Sequence, residues 1–257
     1  MPFSRRRFIS GLAGASALAA LPSLSLAQVD ATRVRAVVFD AFPIFDPRPI
    51  FLLTEELFPG HGQALSDLWR TRQFEYTWLR TLSNRYVDFK TVTTDALTFA
   101  ARSLKLSLSA RQQATLIDAY STLDAWPDVV EALTTLHGAG IRLGFLSNFT
   151  RQMLVANLRH TGLSPFFEHV LSTDAAGAFK PDPRAYQLGP EAFALRREEI
   201  VFAAFAGWDA AGAKSFGYPT FWVNRQSAPT ENLGAGPDAS GSMTDLVQFV
   251  MQRHSSS

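Results

Sequence analysis

The feature that most constrains this chain is a series of short apolar runs of strand length, each leading to a polar side chain. Residues 33–39, Arg33-Val34-Arg35-Ala36-Val37-Val38-Phe39, lead to Asp40. Residues 141–146 lead to Ser147-Asn148, and Ile200–Ala204 leads to Trp208-Asp209. Further runs lie at 170–171 and Thr220–Val223. Near-continuous apolar strands are buried on both faces. Helical patterns at 128–139, Arg151–Thr161, 184–193 and 210–216 separate them. Strands alternating with helices predict a doubly wound, Rossmann-like parallel α/β sheet. Such sheets carry their chemistry at the carboxyl ends of the strands, where Asp40, Ser147-Asn148 and Trp208-Asp209 fall.

Between the first two core strands the pattern is helical, at 64–82 and 111–123, and rich in aromatics at Trp69, Phe74, Tyr76 and Trp78. Residues 47–123 therefore read as a helical cap inserted into a core made of 28–46 and 124–257. Residues 234–241, with two glycines before Pro237, read as a surface loop, and 252–257 as a frayed tail.

The first 27 residues hold three of the 24 basic side chains and none of the 23 acidic ones. Arg5-Arg6-Arg7, the apolar run 11–21 and the small-residue exit Ser25-Leu26-Ala27 make a secretory signal peptide. Adjacent arginines before Phe8-Ile9 resemble a twin-arginine signal, which predicts a periplasmic protein handed to the export machinery; the alternative is an ordinary secretory signal or an uncleaved anchor. The remaining charge leaves no basic face for nucleic acid. With 47% hydrophobic and 18% charged residues the chain is not a disordered one. The absence of cysteine excludes disulfide frameworks, thiolate metal sites and cysteine nucleophiles.

Each polar station has an ordinary reading beside a chemical one. Asp40 is either an acid capping the turn before Pro43 or a nucleophilic carboxylate. Lys180, stiffened by Pro181 and Pro183, is a surface lysine or the cation that keeps Asp40 ionised. Ser147 and Asn148 cap the following helix, bind an anion at its positive end, or do both. Asp209 is the N-cap of the helix over 210–216 or a second acid of the site.

In combination and in order, these stations resemble the haloacid dehalogenase superfamily, and more narrowly the type II L-2-haloacid dehalogenases. The matching segments are Phe39-Asp40-Ala41-Phe42, Leu146-Ser147-Asn148, the run from Lys180-Pro181-Asp182-Pro183 to Tyr186, and Trp208-Asp209-Ala210-Ala211-Gly212-Ala213. The cap segments Trp69–Trp78 and Arg85-Tyr86-Val87-Asp88-Phe89 match too, as does the closing 216–225. The resemblance implies that Asp40 displaces halide from C2 of a small 2-substituted carboxylic acid with inversion. Water then cleaves the ester and releases the 2-hydroxy acid. It further implies that Lys180, assisted by Tyr186, holds Asp40 ionised. Arg70, Asn148 and Trp208 would cradle the halide, Ser147 would bind the substrate carboxylate, and Phe42, Phe74 and Phe89 would wall the 2-substituent. Those aromatics also suit plain packing of cap on core. Homodimers are common among such relatives, and no cofactor is implied.

Phosphatases of this fold carry a second acid two residues after the nucleophile, where this chain has Phe42. They also carry an acid four residues before the last-motif Asp, where it has Phe205. Neither phosphate-ester hydrolysis nor a metal is expected. The chain departs from the dehalogenase pattern at Pro43-Ile44, in place of Gly-Thr, and at Ala204-Phe205-Ala206, in place of Ser-Ser-Asn. These changes keep a second reading open: the same fold binding a small carboxylate without turnover, or acting on a more apolar substrate.

Overall fold

The computed structural model describes residues 33–255; the expected signal peptide, residues 1–27, lies outside them. Six parallel strands form one sheet: β1 (Ala36–Phe39), β2 (Arg142–Ser147), β3 (His169–Ser172), β4 (Ile200–Ala204), β5 (Thr220–Val223) and β6 (Ala239–Gly241). Their spatial order is β3-β2-β1-β4-β5-β6. The chain thus winds outward from β1 on one side and then returns to start again on the other, which leaves a crevice beyond β1 and β4.

Alternation along the strands sorts side chains into two apolar layers. Val37, Phe39, Val201, Ala203, Phe221 and Val223 enter one layer. Ala36, Val38, Ile200, Phe202, Ala204 and Trp222 enter the other. Helices cover the sheet: α5 (Val129–Gly138), α6 (Arg151–Thr161), α7 (Pro183–Phe193), α8 (Gly207–Phe216) and α9 (Met243–Ser255), after four in the insertion. On β2, Gly144 admits Phe193 of α7: a Cβ there would stand 2.9 Å from its ring.

The segment expected to cap the core contains α1 (Arg48–Leu57), α2 (Gly62–Leu82), α3 (Phe89–Ser103) and α4 (Ala110–Asp118). Its two ends meet in an antiparallel bridge between Phe45 and Ala125. Flanking bonds run from the Asp46 N–H to the Asp124 carbonyl and from the Trp126 N–H to the Ile44 carbonyl, at 2.9 and 3.0 Å. Leu65, Trp69, Phe89 and Val92 of these helices share one apolar layer with β1, β4 and β5. Inside the insertion, Trp69 donates to the Thr93 carbonyl at 2.8 Å and so ties α2 to α3.

Four local expectations are corrected. Residues 239–241 are the edge strand β6, paired to β5, and only the preceding part of 234–241 is loop. The tail is helical through Ser255, where His254 Nδ1 bonds the Val34 carbonyl. Helix α8 begins at Gly207 with Ala206 as its N-cap, so Asp209 is its third residue rather than its cap. Thr150, not Ser147 or Asn148, caps α6 by accepting from the Met153 N–H at 3.2 Å.

Candidate active site

Asp40 leaves β1 at the crevice, its N–H donating to the Ala203 carbonyl of β4 at 3.0 Å. Its carboxylate is held unequally. Oδ1 accepts from Ser147 Oγ at 3.1 Å and from Lys180 Nζ at 2.9 Å. Among the described residues Oδ2 accepts only the Phe42 N–H, at 3.3 Å. The Asp40 side chain keeps 13% of its surface exposed, whereas that of Lys180 keeps 1%. The carboxylate is therefore the more open member of the pair and its counter-ion the deeper one.

Lys180 also reaches Asp209 Oδ2, at 2.5 Å, so one ammonium bridges two carboxylates. Burial works against its charge, but Asp209 and Asp40 outweigh burial and hold Lys180 above the usual lysine range. Burial pushes Asp209 up to about 6, against the pull of Lys180 and with repulsion from Asp40 added. The Lys180 N–H donates to Asn148 Oδ1 at 3.0 Å, which fixes the amide and leaves its NH₂ as the donor end.

Tyr186 is a correction to the expected set. It does not line the cavity; it is buried behind Asp209, donating its hydroxyl to Asp209 Oδ1 at 2.7 Å. Its own carbonyl accepts the Tyr218 hydroxyl at 2.6 Å. Burial first, then the neighbouring Asp209, raises the Tyr186 phenol well above its ordinary value. Gly212 makes the arrangement possible, because a Cβ there would lie 2.5 Å from the Tyr186 hydroxyl.

A cavity of about 280 Å³ opens in front of Asp40. Every other predicted residue lines it: Phe42, Arg70, Phe74, Phe89, Ser147, Asn148, Lys180, Trp208 and Asp209. Arg70 makes no ion pair among the described residues; its guanidinium lies 4.7 Å from the centre of the Phe51 ring. Trp208 packs edge-on against Phe74 and Trp78 at 5.5 and 5.6 Å between ring centres. The two departures from pattern differ in effect. Ile44 is fully buried in the apolar layer and offers the carboxylate nothing. Phe205 enters the cavity wall and meets Phe42, 5.6 Å between ring centres. Asp40 and Asp209 already share the Lys180 ammonium, and among the described residues no cluster of three acidic or histidine side chains is placed to hold a metal.

Sequence reading did not single out Gln73, Tyr120 or Arg225 as parts of the wall. Gln73 lies one turn after Arg70 on α2, a spacing that gave the signal. It donates to Thr93 Oγ1 and the Tyr120 hydroxyl at 2.8 and 3.3 Å. Burial pushes Tyr120 up to about 12, so it stays a neutral wall. Arg225 grips Asp128 with two bonds, at 2.9 and 3.0 Å, and the Pro43 carbonyl at 3.0 Å.

Residues 32–217 match the family described as haloacid dehalogenase-like hydrolase. The chain is 43% identical over 206 residues to the (S)-2-haloacid dehalogenase of Pseudomonas sp. (strain YL), spanning 80% of this chain and 89% of that one. It superposes on the crystal structure of an L-2-haloacid dehalogenase with a TM-score of 0.84 at 45% identity, covering 86% of this chain and 100% of the other. The L-2-haloacid dehalogenase from Xanthobacter autotrophicus with chloropropionic acid covalently bound gives a TM-score of 0.78 at 33% identity, covering 85% and 98%.

Proposed function

The chain belongs to the haloacid dehalogenase-like hydrolase family, and from that premise we propose that it hydrolyses small L-2-haloacids to 2-hydroxy acids through an ester on Asp40. The observation that carries the proposal is the asymmetric carboxylate. Oδ1 is committed to Lys180 and Ser147, while Oδ2 has a single long donor among the described residues, on an acid that lines the cavity. Oδ2 attacks C2 from the side opposite the halogen, the O–C2 bond forms, and the C–halogen pair leaves as halide. Arg70, the Asn148 NH₂ and the edge of Trp208 receive that anion. Ser147 serves the substrate carboxylate by turning its one hydroxyl proton from Asp40 Oδ1, which keeps Lys180 as its donor.

Water then adds to the Asp40 carboxyl carbon, and cleavage of the carboxyl C–O bond returns Asp40 and releases the 2-hydroxy acid. One proton leaves with each turnover. Asp209, at about 6, is a base of suitable strength to take it from the attacking water. The relatives named above act on 2-haloacids by their names, and one holds chloropropionic acid covalently, which supports this order of steps.

A second reading rests on Ile44, Ala204 and Phe205, which put apolar groups at positions where the resemblance expects donors for the ester and its water. In that reading the chain holds a small carboxylate without turning it over, or alkylates Asp40 once. Halide counted against protein over time separates them, with L- and D-2-chloropropionate as substrates and Asp40→Asn as control. Sustained release from the L-isomer alone, lost in the variant, supports hydrolysis. One halide per site followed by a stop supports a surviving ester, and no release supports the binding scaffold.

Residues 47–123 act in this account as a cap that supplies Arg70, Phe74 and Phe89. The N-terminal sequence supports export by the twin-arginine route and work in the periplasm, and pairing with a second copy rests on the resemblance alone. Replacing Arg5 and Arg6 by lysine is expected to leave the protein in the cytoplasmic fraction.

A further inference from the structure

The reaction above uses mainly the side of the cavity built by the ends of β1 and β2, the loop carrying Lys180, and α2. The strand order puts β4 and β5 on the other side of β1, and beside Trp208 and Asp209, which the chemistry uses, the segments leaving these strands line the same cavity with side chains that it does not employ. Phe205, Trp222, Ala228 and Pro229 form the apolar part of this arm, and Gln226 and Glu231 join them in its lining. Trp222 donates its Nε1–H to the Phe205 carbonyl at 2.8 Å, which leaves an apolar ring to offer a ligand. Position 207, on the same side, is glycine; a Cβ there would meet Glu231 Cγ at 2.9 Å and the Trp222 ring at 3.5 Å.

Size and charge decide what this arm holds. A cavity of about 280 Å³ has the liquid volume of roughly nine waters, about twice what a three-carbon haloacid fills. Arg225, the cation on this side, spends both terminal nitrogens on Asp128 and the Pro43 carbonyl and keeps only a buried Nε–H unpartnered among the described residues, while the acid Glu231 joins the lining, so the arm does not recruit a second carboxylate. Resting on the dehalogenation reading, we infer that the β4–β5 side of the cavity is the subsite for the 2-substituent, and that the preferred substrates are 2-haloacids bearing a benzyl or comparably bulky apolar group. Phe205 is then a specificity residue, placed where its ring continues the wall begun by Phe42.

The test pairs turnover with binding on the purified protein. Turnover compares L-2-chloro-3-phenylpropionate with L-2-chloropropionate by halide release, and calorimetry compares halogen-free 3-phenylpropionate with propionate. We expect kcat/KM at least tenfold higher for the phenyl substrate, and binding at least tenfold tighter for the phenyl acid. Ala228→Phe, whose backbone bonds to Asn224 do not involve the side chain, fills the arm and should lower the phenyl-to-methyl ratio of kcat/KM at least tenfold. Halide release from both substrates with equal kcat/KM and equal binding of both acids overturns the subsite and leaves the dehalogenation reading intact. Tighter binding of the phenyl acid without any halide release retains the subsite and overturns the reaction. Equal binding without release overturns both. The wild-type comparison decides even where Ala228→Phe does not fold.

Discussion

Replacing Asp209 by Asn is expected to abolish sustained turnover and yet to stabilise the protein. Burial raises Asp209 from 3.8 to about 6, so between those values the folded chain holds this proton more tightly than the unfolded chain does. Stability therefore falls as pH rises through that window, and by pH 7 the ionised carboxylate costs about 3 kcal/mol. Asn carries no such charge, and the surroundings can accommodate it. Its Oδ1 takes the Lys180 ammonium, and its NH₂ donates to the Tyr186 oxygen. The Tyr186 proton then turns to the carbonyl of residue 209, already 3.2 Å away. Urea unfolding of wild type and Asp209→Asn at several pH values measures the gap. It should approach 3 kcal/mol at pH 7, fall to roughly half at pH 5, and close below about pH 4. A variant no more stable than wild type at pH 7, or a gap that widens on acidification, would refute the electrostatic account of this cluster.

Three further outcomes follow from the same geometry. Tyr186→Phe removes a donor that favours ionised Asp209, so the acidic limb of kcat, expected near pH 6, should move upward; a limb moving down contradicts the arrangement. Gly212→Ala places a Cβ 2.5 Å from the Tyr186 hydroxyl and 2.8 Å from Pro181 Cβ, and should cost about 1–3 kcal/mol in denaturant unfolding with a drop in kcat. Thr81, near the end of α2, accepts the Phe179 N–H at 3.0 Å, beside Lys180. Thr81→Val leaves that amide unpaired and should destabilise by about 1–3 kcal/mol, whereas Thr81→Ser should restore wild-type stability.

The sheet core was legible because its strands are apolar on both faces: Ile200–Ala204 and Thr220–Val223 stand where the sequence placed them. Strand β6 was not legible, since Ala239–Gly241 lacks an apolar run. It is fixed instead by Asp238, which accepts the Thr220 N–H at 2.8 Å across the sheet. The end of α9 depends on a partner more than two hundred residues away, Val34, whose N–H donates to the Arg253 carbonyl at 3.1 Å. At the site, motif order identified the residues on the strand ends but not their depth. Asp209 looked like a cap because Gly207 hid the earlier start of α8. Tyr186 stood close to Lys180 in sequence, yet the face of α7 it occupies turns it behind Asp209. Trp222 and Arg225 became wall residues only once β5 was known to lie beside β4, a fact of strand order that no local pattern carries.

On the proposed route the oxygen delivered to the substrate comes from Asp40, and water repairs the carboxylate afterwards. A single turnover with excess protein over L-2-chloropropionate, run in water labelled with the heavy oxygen isotope, tests it directly. An unlabelled 2-hydroxy acid and a heavy oxygen in the peptide that contains Asp40 are the expected result. Label in the first product, with that peptide unlabelled, would mean that water attacks C2 itself and would contradict the nucleophilic role of Asp40.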